Sequence, residues 1–226
     1  ERLDYSCAIF AAAGRLAANA PHMPVHLGSM GASVRAVRDR HGDAIRDGDA
    51  FLVNSPYAGG THLPDLTVVA PVYAGGSGRP DFWVASRAHH ADVGGITPGS
   101  MPPFSRDVAE EGVLFEGERI VSAGVLDAAL LRERFGRGPH PARNVERNLA
   151  DLGAQLAANA RGRAELARLV RTYGLEVVSA YMRHVQANAE TRVRAALRAL
   201  EIAGRGPVRH AVELDGGERI VVTLTV

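Results

Sequence analysis

Two Gly-rich segments set His and Asp on either side of a strand-like run: Gly59-Gly60-Thr61-His62-Leu63-Pro64-Asp65, then Ser86-Arg87-Ala88-His89-His90-Ala91-Asp92-Val93-Gly94-Gly95. Such a chain must fold so that Gly-rich turns carry imidazoles and carboxylates at strand ends. A divalent cation that keeps an open coordination position needs that donor set. His62 and Asp65 lie three apart across Leu-Pro, and Pro64 stiffens the connection, so both side chains can share one side of a turn. His89 and His90 end a strand in which adjacent residues point to opposite faces, so only one of the two can face the same ion. Spacing leaves open which one, because the Gly-rich stretch 75–80 leaves the register between Asp65 and the pair unset. The other imidazole, or Asp92, is then available for proton transfer, and Gly94 and Gly95 let backbone amides approach developing negative charge.

Composition bounds the rest. The 226 residues are 46% hydrophobic, enough to bury a sizeable core. All 26 basic residues are Arg. A phosphate loop ending in Gly-Lys-Ser/Thr, a Schiff-base Lys and a Lys general base are therefore excluded within these residues. Any ATP must be bound elsewhere. The single cysteine, Cys7, excludes an internal disulfide and any Cys-rich zinc module, which fits a cytoplasmic setting. No long apolar run suits a membrane span, and the Arg residues lack the aromatic interleaving of a nucleic-acid surface. The chain opens on Glu1 rather than Met and closes inside a strand-like run, and so reads as part of a longer protein.

Periodicity predicts an α+β fold: a mixed, β-rich core with a loop-borne metal site over residues 1–143, a long helical hairpin over 144–203, and the start of a further β region over 204–226. Strands are expected at Ser6–Phe10, Gly14–Ala18, Ala50–Val53, Leu66–Tyr73 and Asp81–Ser86, and a C-terminal hairpin turns at Asp215-Gly216-Gly217. A helix is expected at Met30–His41, capped by Gly28-Ser29, with Val34, Val37 and Arg38 on one face. Two more follow. Asn144 caps one, with an apolar stripe of Leu149, Leu152, Leu156, Leu166, Leu169, Val170 and Tyr173; Gly174 stops it; the other runs from about Glu176 to Ile202. His22 and His26 are candidates for a substrate pocket, while His41, His140, His184 and His210 read as surface or helix residues.

Several long runs together resemble one family. They are Glu1 to Ala8, Pro21 to Met30, Asn54-Ser55-Pro56-Tyr57 through Asp65, Ser86 to Gly95, and Ile96 to Pro103. In the right order and over nearly the whole chain, they are similar to the N-terminal part of hydantoinase B subunits, a family that includes 5-oxoprolinase and acetone and acetophenone carboxylase subunits. The resemblance implies a metal-dependent subunit of an ATP-dependent cyclic-amide hydrolase, opening hydantoin or 5-oxoproline rings. It also implies a hetero-oligomer with a hydantoinase A-type ATPase subunit, which uses the ATP to phosphorylate the substrate. Carried onto matching positions, the implied ligands of a Zn²⁺ or Mn²⁺ ion are Asp4, His62, Asp65 and one His of the His89-His90 pair, taken as His89, which leaves His90 and Asp92 as the candidates for proton transfer. Asp4 rests on the family alone. A carboxylase subunit and a noncatalytic scaffold are the competing expectations.

Overall fold

The computed structural model describes residues 4–20, 23–199 and 206–225. His22 and the last residues of the expected Glu176–Ile202 helix lie outside them. The backbone falls into two compact units, Glu1–Ser179 and Ala180–Val226.

In the first unit a seven-stranded antiparallel sheet is built from β1 (Tyr5–Ala11), β2 (Leu16–Asn19), β3 (Ala50–Val53), β4 (Asp65–Val72), β5 (Phe82–His89), β6 (Glu116–Ser122) and β7 (Val125–Leu126). Their spatial order is β2-β1-β5-β4-β3-β6-β7, which places β5 and β4 near the middle. All eight residues of β4 are buried, as expected for a strand covered on both faces. The helix α1 (Pro24–His41) covers one face and α3 (Val145–Tyr173) the other; α2 (Ala128–Gly136) precedes α3.

Alternation divides β1 and β5 between these two faces. Ala8 and Phe10 on β1, and Trp83 and Ala85 on β5, pack with Met30, Val34 and Val37 of α1 and with Phe51 and Val69 into one apolar core. Burying a side chain of this size contributes roughly 1.5–3 kcal/mol, so this seam is a principal source of the first unit's stability. The opposite face meets α3 through polar groups. Gln155 Nε2 donates to the carbonyls of Leu66 and Ser86, and Asn159 Nδ2 to that of Val68.

Three expectations change. First, α1 starts at Pro24, six residues before Met30, because a proline at the first helical position forfeits no intrahelical bond. Ser29 is therefore inside the helix and bonds back to the Val25 carbonyl instead of capping. Second, the strand expected to end at Ser86 continues to His89, so Asp65 and His89 are the first residue of β4 and the last of β5, while His62 and Asp4 lie outside the strands. Third, the sheet-facing stripe of α3 is half polar: Leu152 and Leu166 are buried alongside Asn148, Gln155 and Asn159, while Tyr173 is exposed. Asn144 does cap α3, its Oδ1 accepting from Arg147 N, and Gly174 ends it with φ of 85°.

The helix α4 (Leu175–Ala199) leaves Val177, Tyr181, Val185 and Val193 exposed. In the second unit β8 (Val208–Glu213) and β9 (Arg219–Leu224) form the expected antiparallel hairpin. No helix among the described residues is long and apolar enough to cross a membrane.

Candidate metal centre

The sheet register lines up one row of chemistry. Asp65 stands opposite His89 across β4 and β5, and His89 N donates to the Asp4 carbonyl just ahead of β1. Asp4, just ahead of β1, thus lies in line with the facing pair of His89 on β5 and Asp65 on β4. The next row is Ser6, Arg87 and Thr67, and the apolar core begins one row further on.

A short turn adds His62. Asp65 N donates to the His62 carbonyl, closing the turn that Pro64 stiffens. Gly59, at φ 84°, lies against the backbone of Ala32 and Ser33, and its carbonyl accepts from Ser33 Oγ at 2.6 Å, which pins the loop to α1. His62 Nδ1 then reaches Asp65 Oδ2 at 3.2 Å, and its ring centre lies 5.0 Å from that of His89.

His62, Asp65 and His89 offer donor atoms within 4.8 Å of one another. Bonds of about 2.0–2.2 Å to a common ion are within reach of small side-chain rotations. The carboxylates favour an ion. Asp65 Oδ1 is buried without a hydrogen bond, with His89 Nδ1 3.5 Å away, and Asp4 Oδ1 is buried and unsatisfied as well. A buried carboxylate oxygen without a partner is costly, and a cation removes that cost. The residues present suit a divalent ion.

Burial pushes the Asp65 pKa up, but His62, His89 and Thr61 more than reverse this and hold it far below the usual carboxylate range. Conversely, the contact with Asp65 raises the pKa of His62 against the effect of burial. Arg87 is fully buried, and desolvation lowers its pKa to about 10 while Asp65 opposes the shift. Its guanidinium donates to Thr67, Ser29, Ser33 and the Gly59 carbonyl, fixing β5, β4, α1 and the His62 loop together.

The chain as a whole matches a family described as hydantoinase B/oxoprolinase, over residues 1–226. The chain belongs to the hydantoinase B/oxoprolinase family. Among hydantoinase B/oxoprolinase relatives, it is 45% identical over 230 residues to a 5-oxoprolinase of Dictyostelium discoideum, covering all of this chain and 18% of that one. It is 47% identical over 209 residues to 5-oxoprolinase 1 of Arabidopsis thaliana, covering 88% of this chain and 16% of the relative. The chain therefore spans under a fifth of these relatives' length. Among solved structures, the ATP-dependent caprolactamase of Pseudomonas jessenii superposes with a TM-score of 0.82 at 25% identity, over 95% of this chain and 36% of that one. Nucleotide-free acetone carboxylase shares the fold, with a TM-score of 0.80 at 20% identity over 92% of this chain and 27% of that one.

Within this hydantoinase B/oxoprolinase chain the two expected proton carriers sit apart from the cluster. His90 faces α3, fully buried, with Nδ1 on Asn148 Oδ1 at 3.3 Å and Nε2 on Gln155 Oε1 at 3.0 Å. Burial lowers its pKa, opposed by those two amides. Asp92 organises a loop. Its carboxylate accepts from Gly94 N, Gly99 N, Arg143 N and the Arg143 guanidinium, and these bonds lower its pKa against the effect of burial. Both geometries are those of supports. Gly94 and Gly95, expected near developing charge, instead give close backbone approach to His140 and Glu110-Glu111.

Sequence reasoning under-read His26 and did not single out Arg87. His26 is buried on the first turn of α1 beside Asp65. A signal was present: His26, Ser29 and Ser33 form a polar extension of the Met30, Val34, Val37 stripe at helical spacing.

Proposed function

We propose that this chain is the metal-bearing part of an ATP-dependent cyclic-amide hydrolase, with Asp4, His62, Asp65 and His89 as ligands of one Zn²⁺ or Mn²⁺ ion. The line of Asp4, His89 and Asp65, with two buried carboxylate oxygens left unsatisfied beside His62, carries this reading. When bound, such an ion supplies Lewis acidity to a ring carbonyl and makes a water nucleophilic near neutral pH. The protein's own contribution is charge and placement. Asp65 stays anionic throughout the working range, Asp4 adds a second carboxylate, and Arg87 keeps a buried positive charge one row away.

A cleft of about 290 Å³ runs between the α3 face of β1 and β5 and α3, bordered by Tyr5, Cys7, Asp151 and Gln155 and reaching Asp4 and His89 at its edge; His62 and Asp65 do not line it. With no Lys in the chain, ATP is assigned to a hydantoinase A-type ATPase in the same complex, either another subunit or another segment of one polypeptide. A cytoplasmic location accords with the single cysteine. His90 and Asp92 act as supports in this reading. A carboxylase is ranked second, because relatives at 45–47% identity are named 5-oxoprolinase whereas the likeness to acetone carboxylase is one of fold.

The deciding experiment is metal content by plasma mass spectrometry on protein purified without chelator, parent against His62→Ala. A near-stoichiometric ion that is lost in the variant supports the site; no ion in the parent turns the reading to a scaffold. The full-length protein with its ATPase is then assayed on hydantoin, 5-oxoproline and acetone, where a requirement for bicarbonate selects the carboxylase.

A further inference from the structure

Three groups converge on Asp65 Oδ2: Thr61 Oγ at 2.6 Å, His62 Nδ1 at 3.2 Å and His26 Nε2 at 3.2 Å. Of the three, His26 is the only one from outside the 61–65 turn, and its side chain is as buried as that of Asp65. On its far side, His26 Nδ1 lies 2.8 Å from Ser6 Oγ. Ser6, His26 and Asp65 therefore form a buried chain from β1 through α1 to β4.

The partners dictate the direction of its protons. An ionised carboxylate only accepts, so the nitrogen beside it must carry hydrogen. With Nε2 donating to Asp65, Nδ1 faces the Ser6 hydroxyl at 2.8 Å, and that hydroxyl can donate to it as an acceptor. Ser6 thereby fixes which tautomer His26 holds. Both ring nitrogens are committed, and His26 is not a member of the donor cluster formed by His62, Asp65 and His89.

We infer that His26 is a positioning residue that holds Asp65 by donating from Nε2 to Oδ2, leaving Oδ1 turned toward His89. The inference rests on the metal reading for its consequence: a carboxylate fixed by a second, buried donor presents one set oxygen to an ion, and loss of such outer partners typically weakens metal binding about 10–100-fold. A purely structural imidazole would leave ion affinity unchanged once the fold was intact.

The test titrates Zn²⁺ into chelator-stripped parent, His26→Leu and His26→Gln, with circular dichroism and melting curves confirming the fold. Gln can place an amide N–H near the position of Nε2, so it should bind within about threefold of the parent, while Leu should bind about 10–100-fold more weakly. Equal affinity in parent and Leu overturns the inference. So does a Gln variant as weak as Leu, which would make the imidazole nitrogen itself a ligand. If the Leu variant fails to fold, Ser6→Ala releases the tautomer lock and should weaken binding by a smaller factor; unchanged affinity overturns the inference there too. A metal-free readout stands beside these: nitrogen chemical shifts should show His26 protonated at Nε2 and not at Nδ1, and the opposite tautomer overturns the inference. A parent that takes no Zn²⁺ sinks the metal reading, and the nitrogen shifts then decide the His26–Asp65 geometry by themselves.

Discussion

Asp65 and His89 face each other across β4 and β5, with Asp65 Oδ1 and His89 Nδ1 3.5 Å apart. That distance is too long for a good hydrogen bond and suits two groups that share a third partner. Their neighbour in sequence, His90, is committed to Asn148 and Gln155 on the other face.

Replacing each histidine of the pair by Phe should therefore give opposite results. His89→Phe should abolish metal retention with a modest effect on melting. His90→Phe should keep the ion but leave two buried amides unsatisfied, lowering stability by about 2–4 kcal/mol. Metal analysis and urea denaturation on both variants check this, and a metal-free His90→Phe chain with normal stability would reverse the assignment.

Asp92 gives a pH signature. Its folded pKa is lowered from the ordinary value of 3.8, so the stability it contributes is fully present above 3.8 and is lost as pH falls through the folded value. Asp92→Asn should cost about 1.5–3 kcal/mol at pH 7, and the gap to the parent should close as the parent's own carboxylate protonates. Melting curves from pH 7 down to pH 2.5 would show it; a gap that widens on acidification is the contrary result.

The turn bearing His62 depends on Gly60, where an added Cβ would fall inside contact distance of the Asn54 carbonyl and the Ser55 carbonyl oxygen. Both are backbone groups anchored to Phe115. Gly60→Ala should cost about 2 kcal/mol or more and weaken metal binding together with stability, whereas Gly76→Ala, with open space around it, should leave binding unchanged and cost less. Parallel metal titrations and thermal melts separate the two.

Arg87 offers a different test. Lys cannot reproduce a planar fork that serves Thr67, Ser29, Ser33 and Gly59 at once. Arg87→Lys should lose about 1.5–3 kcal/mol in urea denaturation despite conserving charge. An unperturbed midpoint would mean that charge alone matters there.

Strand positions were legible because period-two runs between Gly and Pro are local signals, and β1, β3, β4 and the β8–β9 hairpin lie within a residue or two of where alternation puts them. Asn144 as a cap and Gly174 as a stop were legible for the same reason. What escaped was decided by tertiary contact. Asn148, Gln155 and Asn159 fall outside any apolar stripe and turn inward only because the carbonyls of β4, β5 and the loop after them lie beneath them. Nothing in its own run marks Arg87 as buried; α1 and the 59–65 loop close over it. Asp4 could be placed only by resemblance, since no spacing ties the start of β1 to His89, and only the register does.

Because the two faces of β5 receive different imidazoles, the chemistry of this chain depends on counting by twos. A single-residue deletion inside Phe82–Ala88 would exchange the roles of His89 and His90, setting one ring under α3 and the other against Asp65 with its partners missing. The same deletion in the 75–80 turn lies at the other end of the hairpin, where strand pairing can absorb it. Length variation in this fold should therefore be concentrated at the turn and forbidden along the strand, a pattern of tolerated gaps that marks the metal row without reference to any ligand.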